Sequence, residues 1–451
     1  MLVKLPKEVR NIMNSLQNAG FETFIAGECI RESILGHDPY GWDLVTDASI
    51  EDMKNLFPDA VVLSEKYQMI RFEYIEEIVG KDGTVEETGI IIDLGRYRKL
   101  TQGGMKQGSG AAAFAGQDGG KDADTRPIVD ELAEKEFTID AIAENQNEIV
   151  DPFGGRDDIK KKIIKTIGDA DTVFKKQPVL MMKAARLASQ CGFDLDRSVY
   201  DAILKNKNLL SNVSVDRIRE EFTMTLAAAG TAGKGLGILL ETGMIAAVIG
   251  QDVIDRLSKR EVNDLLILSK NIDRSKPVEA RRLGLFFTCI DKKKIRPAIE
   301  RLCFDEETHQ HLIDAINDMP KLYFAATKPA LKKFIYQHGM DRYEYLLNME
   351  KAQRIVFEYH SDTKIKSKMY MLDEIQRFRE PIFPEDLKVD AEDLIEAGIC
   401  TEANVEKVMR MMTEELHTHP RKNNREELMK LAKLYSKNKV AAALRGIHWI
   451  K

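Results

Sequence analysis

At 451 residues the chain is too long for a single core and has the length of about three domains. Hydrophobic residues make up 43% and charged residues 31%, the make-up of a soluble globular protein, and no apolar run reaches membrane-spanning length. A formal net charge of −6 argues against a wholly basic nucleic-acid protein but leaves local basic surfaces open. The segment Met1 to Arg10 lacks the basic-then-apolar pattern of a signal peptide, so the expected location is cytoplasmic. Five scattered cysteines, Cys29, Cys191, Cys289, Cys303 and Cys400, share no metal-ligand spacing and read as reduced core residues.

Residues 5–18 have helical periodicity, with Val9, Ile12, Met13 and Leu16 on one face. A strand follows over 21–25, rich in aromatic and β-branched residues, and Gly27 lets the backbone turn closely. Residues 29–35 form a short helix that ends at Gly36, and Arg31 lies near its start, where open amides and the helix dipole favour an anion such as a triphosphate. The second strand, 42–46, sets Asp43 among apolar neighbours, a position from which a carboxylate can hold a metal. Ser49 caps a helix that Pro58 stops, and strands over 60–63 and 69–75 lead through a turn near Asp82 and Gly83 into 89–98. There Asp93 follows three isoleucines, where a charge needs a partner.

These residues resemble the head of the class II tRNA nucleotidyltransferases, the family of CCA-adding enzymes and bacterial poly(A) polymerases. The family has Gly-Gly-x-Val-Arg-Asp followed by Asp-x-Asp-[Ile/Leu]-x-Thr; this chain has Gly27, Glu28, Cys29, Ile30, Arg31, Glu32 and then Gly41, Trp42, Asp43, Leu44, Val45, Thr46. The resemblance implies an α+β fold: a polymerase β-like nucleotidyltransferase head with a small mixed sheet, followed by an all-α neck, body and tail. It implies Asp43 and Asp93 as catalytic, Mg2+-binding carboxylates, and Gly27 and Arg31 as nucleotide-binding residues. Carboxylates two apart on a strand share a face and grip two ions together, so Gly41 in place of the first carboxylate removes about 3 to 5 kcal/mol of transition-state stabilisation. Glu28 or Glu32 is the candidate replacement.

Residues 101–124 are rich in Gly, Ala, Gln and Asp and read as a mobile loop, with Asp124, Thr125, Arg126, Pro127 the remnant of a charged family motif. Glu136, Phe137, Thr138, Ile139, Asp140, Ala141 resemble the motif that closes the catalytic domain, with Glu134 and Lys135 where the family has two arginines. Asp151, Pro152, Phe153, Gly154, Gly155 match a turn motif unchanged, and Asp151 is expected to hold that turn through local hydrogen bonds. The family then presents Glu-Asp-x-x-Arg on a helix as a protein template for C and A. Here those positions are Lys176, Gln177 and Leu180, while Lys183 and Arg186, further along the same face, are the remaining nucleotide-binding candidates. The locally basic stretch from Lys160 to Arg186 is either a solvated helix face or a phosphate or RNA contact.

Ser214 is read as a helix cap, and helices are expected within 236–240, 262–269, 280–289, 295–302 and 307–317, then 390–398, 405–417 and 424–434. His360, His417 and His419 read as exposed residues rather than metal ligands. The expected domains are a head over 1–150, a neck with the nucleotide-recognition region over 151–230, a body over 231–385 and an RNA-binding tail over 386–451. The implied function is transfer of nucleotides from ATP or CTP to the 3′ end of tRNA or another RNA, with no DNA or membrane partner. Two further readings stay open: a catalytically inactive RNA-binding paralogue, and a scaffold with no RNA role.

Overall fold

The structure, a computed structural model, describes residues 3–39, 41–79, 85–96, 127–358 and 362–437. The turn near Asp82 and Gly83, the 101–124 loop, residues 124–126 and His360 lie outside the described residues. The chain divides into two units, Met1–Val248 and Ile249–Lys451.

The first unit begins with α1 (Lys7–Asn18), which buries Val9, Ile12, Met13 and Leu16, the face its periodicity marks. Then come β1 (Thr23–Ala26), α2 (Glu28–Leu35), β2 (Gly41–Thr46), α3 (Ile50–Leu56), β3 (Val61–Ser64), β4 (Met69–Val79) and β5 (Val85–Arg96). Ser49 and Asp52 form a reciprocal cap on α3. After α4 (Pro127–Ala133), a 3-10 turn at Thr138–Asp140, β6 (Ala143–Glu144) and β7 (Ile149–Val150) close the sheet. The strand order is β3-β4-β5-β2-β1-β6-β7; β2 and β5 run parallel and the other neighbours antiparallel. Strand alternation buries Trp42, Leu44 and Thr46 on one face of β2, and Ile92 and Leu94 on the same face of β5. Asp43 and Asp93 therefore fall together on the other face. Phe24, Ala26, Ala141, Ala143 and Val150 pack against Ile128 and Leu132 of α4, which anchors the segment that carries Lys135 and Glu136.

Asp151 holds the following turn as expected: its two oxygens accept from the amides of Gly155 at 2.7 Å and Arg156 at 3.0 Å. A Cβ at Gly155 would lie 2.1 Å from Thr138 O, so only glycine lets α5 (Gly155–Lys161) approach the 3-10 turn this closely. β8 (Ile163–Ile164), α6 (Ala170–Lys176), α7 (Leu180–Cys191), β9 (Asp194–Leu195), α8 (Arg197–Asn206), α9 (Val215–Ala227) and α10 (Ala232–Thr242) follow. Ser214 stands at the N-cap position of α9, but its hydroxyl makes no capping bond.

The second unit is helical among its described residues. Its apolar side chains gather in one cluster within residues 322–383 and another within 387–432. Helices at Lys328–His338, Met340–Phe357 and Asp362–Arg377 fill a region for which the sequence pattern offers no candidate. His417 is buried, contrary to expectation, with Nε2 2.9 Å from Ile382 O, whereas Cys303, expected in the core, is exposed. No helix among the described residues is long and apolar enough to cross a membrane.

Candidate active site

β1 runs into Gly27, whose φ of 88° and ψ of −138° lie where side chains are rarely accommodated, and α2 starts at the next residue. A Cβ at Gly27 would stand 3.7 Å from both Asp43 Oδ2 and Lys135 Nζ, so the bare glycine edge faces a carboxylate and an ammonium. These groups border a cleft of about 360 Å³. Its lining contains six carboxylates, from Glu28, Asp43, Glu131, Glu134, Glu136 and Asp140, against the two ammonium groups of Lys135 and Lys183. The excess of four negative charges disfavours a bare polyanion.

Asp43 and Asp93 are direct partners in the parallel register of β2 and β5. Asp43 lines the cleft and keeps contact with solvent, yet its carboxyl pKa is raised. Loss of hydration inside the cleft is the largest cause; Lys135 opposes it, and Asp93, Glu28 and Asp140 add to it. Asp93 has the partner that its apolar strand demands: Arg71 on β4 donates to both of its oxygens, Nε to Oδ1 at 2.7 Å and Nη2 to Oδ2 at 2.9 Å. Arg71 is in turn held above its ordinary pKa by the hydrogen bonds and charge of Asp93.

Arg31 is fully buried. Nη1 donates to Asp140 Oδ1 across 109 residues of sequence, Nε and Nη2 reach Glu32 Oε1 at 3.0 and 2.9 Å, and Nη2 lies 3.1 Å from Glu28 Oε1. Burial alone would lower its pKa, but Asp140, Glu28 and Glu32 outweigh that and hold the guanidinium charged. Arg31 thus ties α2 to the 3-10 turn. Glu32, considered as a replacement for the carboxylate missing at Gly41, is engaged by Arg31 and by His37 Nδ1 at 2.8 Å. Glu28 does line the cleft.

Lys183 projects into the cleft, where Nζ donates to Glu136 Oε2 at 2.9 Å and lies 5.9 Å from the Phe137 ring centre. Arg186 does not line it: Nε donates to Glu221 Oε2 at 2.7 Å and Nη1 to Gln190 Oε1 at 2.8 Å, locking α7 to α9. The three template positions do not share one helical face. α6 ends at Lys176, Gln177 is its C-cap at φ −137° and ψ 83°, and α7 begins at Leu180, whose side chain is buried. The cause is Pro178, which pushes the preceding residue out of the helical region.

Sequence reasoning missed Arg71 and undervalued Lys135. Lys135 carried a signal, the position of a family arginine. Arg71 carried none beyond its place on an alternating strand.

The magnesium implied by the resemblance requires carboxylate oxygens converging on one point. Among the described residues no three His, Cys, Asp or Glu side chains gather in that way. Position 41 supplies no side-chain oxygen, and both oxygens of Asp93 accept hydrogen bonds from Arg71. The residues present do not fit a two-ion centre.

Residues 23–165 match the family described as Poly A polymerase head domain, and residues 192–250 the one described as probable RNA and SrmB-binding site of polymerase A. The chain is 28% identical over 234 residues to a CCA-adding enzyme of Geobacillus sp. strain WCH70, covering 52% of each. It is 28% identical over 270 residues to a CC-adding tRNA nucleotidyltransferase of Halalkalibacterium halodurans, covering 60% of this chain and 59% of the relative. The chain thus spans about half the length of the curated relatives it matches. The crystal structure of a Bacillus stearothermophilus CCA-adding enzyme in complex with CTP superposes with a TM-score of 0.69 at 20% identity over 98% of both chains. A Thermotoga maritima CCA-adding enzyme complexed with tRNA gives 0.62 at 17% identity, over 96% of this chain and 97% of that one. The fold is the one the sequence implied, a polymerase β-like head with a mixed sheet and a mostly helical remainder.

Proposed function

Because the chain belongs to the class II tRNA nucleotidyltransferase family, we propose that its Asp43–Asp93 cleft transfers nucleotides from ATP or CTP to an RNA 3′ end, tRNA first, releasing pyrophosphate. The observation that carries this reading is the parallel register that sets Asp43 beside Asp93 next to the Gly27 turn. Asp43, on the cleft lining, accepts the proton of the 3′ hydroxyl as that oxygen attacks the α-phosphorus, and the upward shift of its pKa favours that role. One oxygen–phosphorus bond forms and the bond to pyrophosphate breaks. Lys135 and Lys183 face the charge that develops on the departing group. Arg31 acts by fixing α2 and Asp140 beneath the cleft, Arg186 by fixing α7, and neck, body and tail hold the RNA. With Gly41 on β2 and Arg71 on Asp93, turnover is slow.

The test is incorporation of labelled ATP and CTP onto tRNA lacking its terminal CCA, with Gly41→Asp alongside. A Cβ at residue 41 meets only Ile91 O at 3.7 Å, so the substitution fits. Weak incorporation by the natural chain, lost with Asp43→Ala and raised by Gly41→Asp, supports the reading. Incorporation untouched by Asp43→Ala would sink it. A second reading, an RNA-binding paralogue without catalysis, is favoured by the chelated Asp93 and the broken template helix. That reading predicts tRNA binding with no incorporation by the natural chain.

A further inference from the structure

Arg71, Asp93 and Asp43 form one row across three neighbouring strands: the β4–β5 register pairs Arg71 with Asp93, and the β5–β2 register pairs Asp93 with Asp43. Side chains directly opposite in paired strands share a face. The Arg71 guanidinium takes both Asp93 oxygens in a fork, at 2.7 and 2.9 Å. On the other side of the row, Lys135 Nζ and Asp43 Oδ2 converge on the bare edge of Gly27. Two carboxylates are thus set beside two cations, of which Arg71 is held by hydrogen bonds. The centre is formally neutral, and Gly41 adds nothing to it. A divalent ion would have to break two charge-assisted hydrogen bonds to reach Asp93, whose charge the Arg71 guanidinium already balances.

We propose that Arg71 is a resident counter-ion that holds Asp93 in place of a divalent cation, so that the Asp43–Asp93 pair binds such an ion weakly for as long as the guanidinium stays. Arg71 is a positioning residue that acts through Asp93. The inference rests on the transferase reading only for the class of ion concerned.

The experiment titrates the full chain with Mn2+, without nucleotide or RNA, and reads free ion by electron paramagnetic resonance. The variants are Arg71→Gln, which keeps an N–H donor for Asp93 but removes the charge, Arg71→Met, Arg71→Lys, and Arg71→Gln combined with Asp93→Asn. Expected is at most one weakly held ion in the natural chain. Arg71→Gln and Arg71→Met should tighten binding by about tenfold or more. Arg71→Lys should stay near the natural chain, and Asp93→Asn should abolish the gain. Thermal melts establish which variants fold, and Arg71→Gln carries the test if Arg71→Met does not. The proposal is overturned if the folded charge-removing variants bind Mn2+ no more tightly than the natural chain. It is equally overturned if the natural chain binds two ions tightly and loses them with Asp43→Asn. Failure of the transferase reading would show only in the incorporation assay and leaves this titration intact.

Discussion

Replacing Arg31 by methionine should destabilise the first unit by about 3 to 5 kcal/mol, the usual cost of removing one partner from a buried ion pair. The guanidinium is wholly enclosed, Asp140 is buried, and the Glu32 side chain is only 17% exposed. Methionine keeps much of the volume but leaves Asp140 and Glu32 facing one another with no cation between them. Two enclosed carboxylates without a cation repel one another while ionised and are relieved by protonation, so the deficit is larger at pH 8 than at pH 5. For a unit of this size the expected fall in melting temperature is on the order of 10 °C. Adding Asp140→Asn should recover part of it, because the uncompensated charge is removed. The assay is urea and thermal unfolding of both variants at the two pH values, beside nucleotide binding. A methionine variant that melts within about 2 °C of the natural chain yet fails to bind nucleotide would refute the reasoning, and would make Arg31 a direct ligand of the triphosphate.

Gly155→Ala should cost about 1 to 3 kcal/mol or more in urea unfolding, because the new methyl group would lie 2.1 Å from Thr138 O and 2.9 Å from its carbonyl carbon. Asp43→Asn should raise the melting temperature at pH 7: the raised carboxyl pKa means that the ionised group opposes folding, and the gain should vanish below about pH 4, where the unfolded group is also protonated. Breaking the Arg186–Glu221 pair, with side chains 12% and 8% exposed, through Arg186→Leu should cost about 3 to 5 kcal/mol in thermal unfolding. Because Lys183 stays in the cleft, nucleotide affinity measured below the melting range should hold.

What the sequence displayed was local. The buried face of α1, the Ser49 cap and the Asp151 turn each depend on residues within a few positions of one another, and all three formed as their spacing dictates. What it hid was set by register and distant packing. Arg71 meets Asp93 only because β4 and β5 pair as they do, and Arg31 meets Asp140 only after the chain has returned from 109 residues away. An arginine near a helix start has the same local signature whether it awaits a phosphate or is already enclosed by carboxylates. The break at Pro178 was different, since the proline was visible; laying a family's continuous helix over Lys176 to Leu180 concealed what the local chemistry required. His417 was misread because a histidine at the end of an amphipathic helix can turn inward when a backbone carbonyl, here Ile382 O, meets its ring nitrogen.

The cations one would offer a triphosphate here come mostly with carboxylates attached: Arg31 to Asp140 and Glu32, Arg71 to Asp93, and Lys183 to Glu136. A phosphate that claimed any of them would exchange an existing ion pair and leave a carboxylate behind, in a cleft whose lining already carries more carboxylates than ammonium groups. Affinity for a polyanion therefore cannot be read from the number of basic residues near the site. It is governed by how many carboxylates each bound phosphate displaces and by the positive charge that arrives with the nucleotide. Lys135, beside Asp43 at the bare edge of Gly27, is then the cation of this cleft whose reorientation toward a ligand would break the least existing structure.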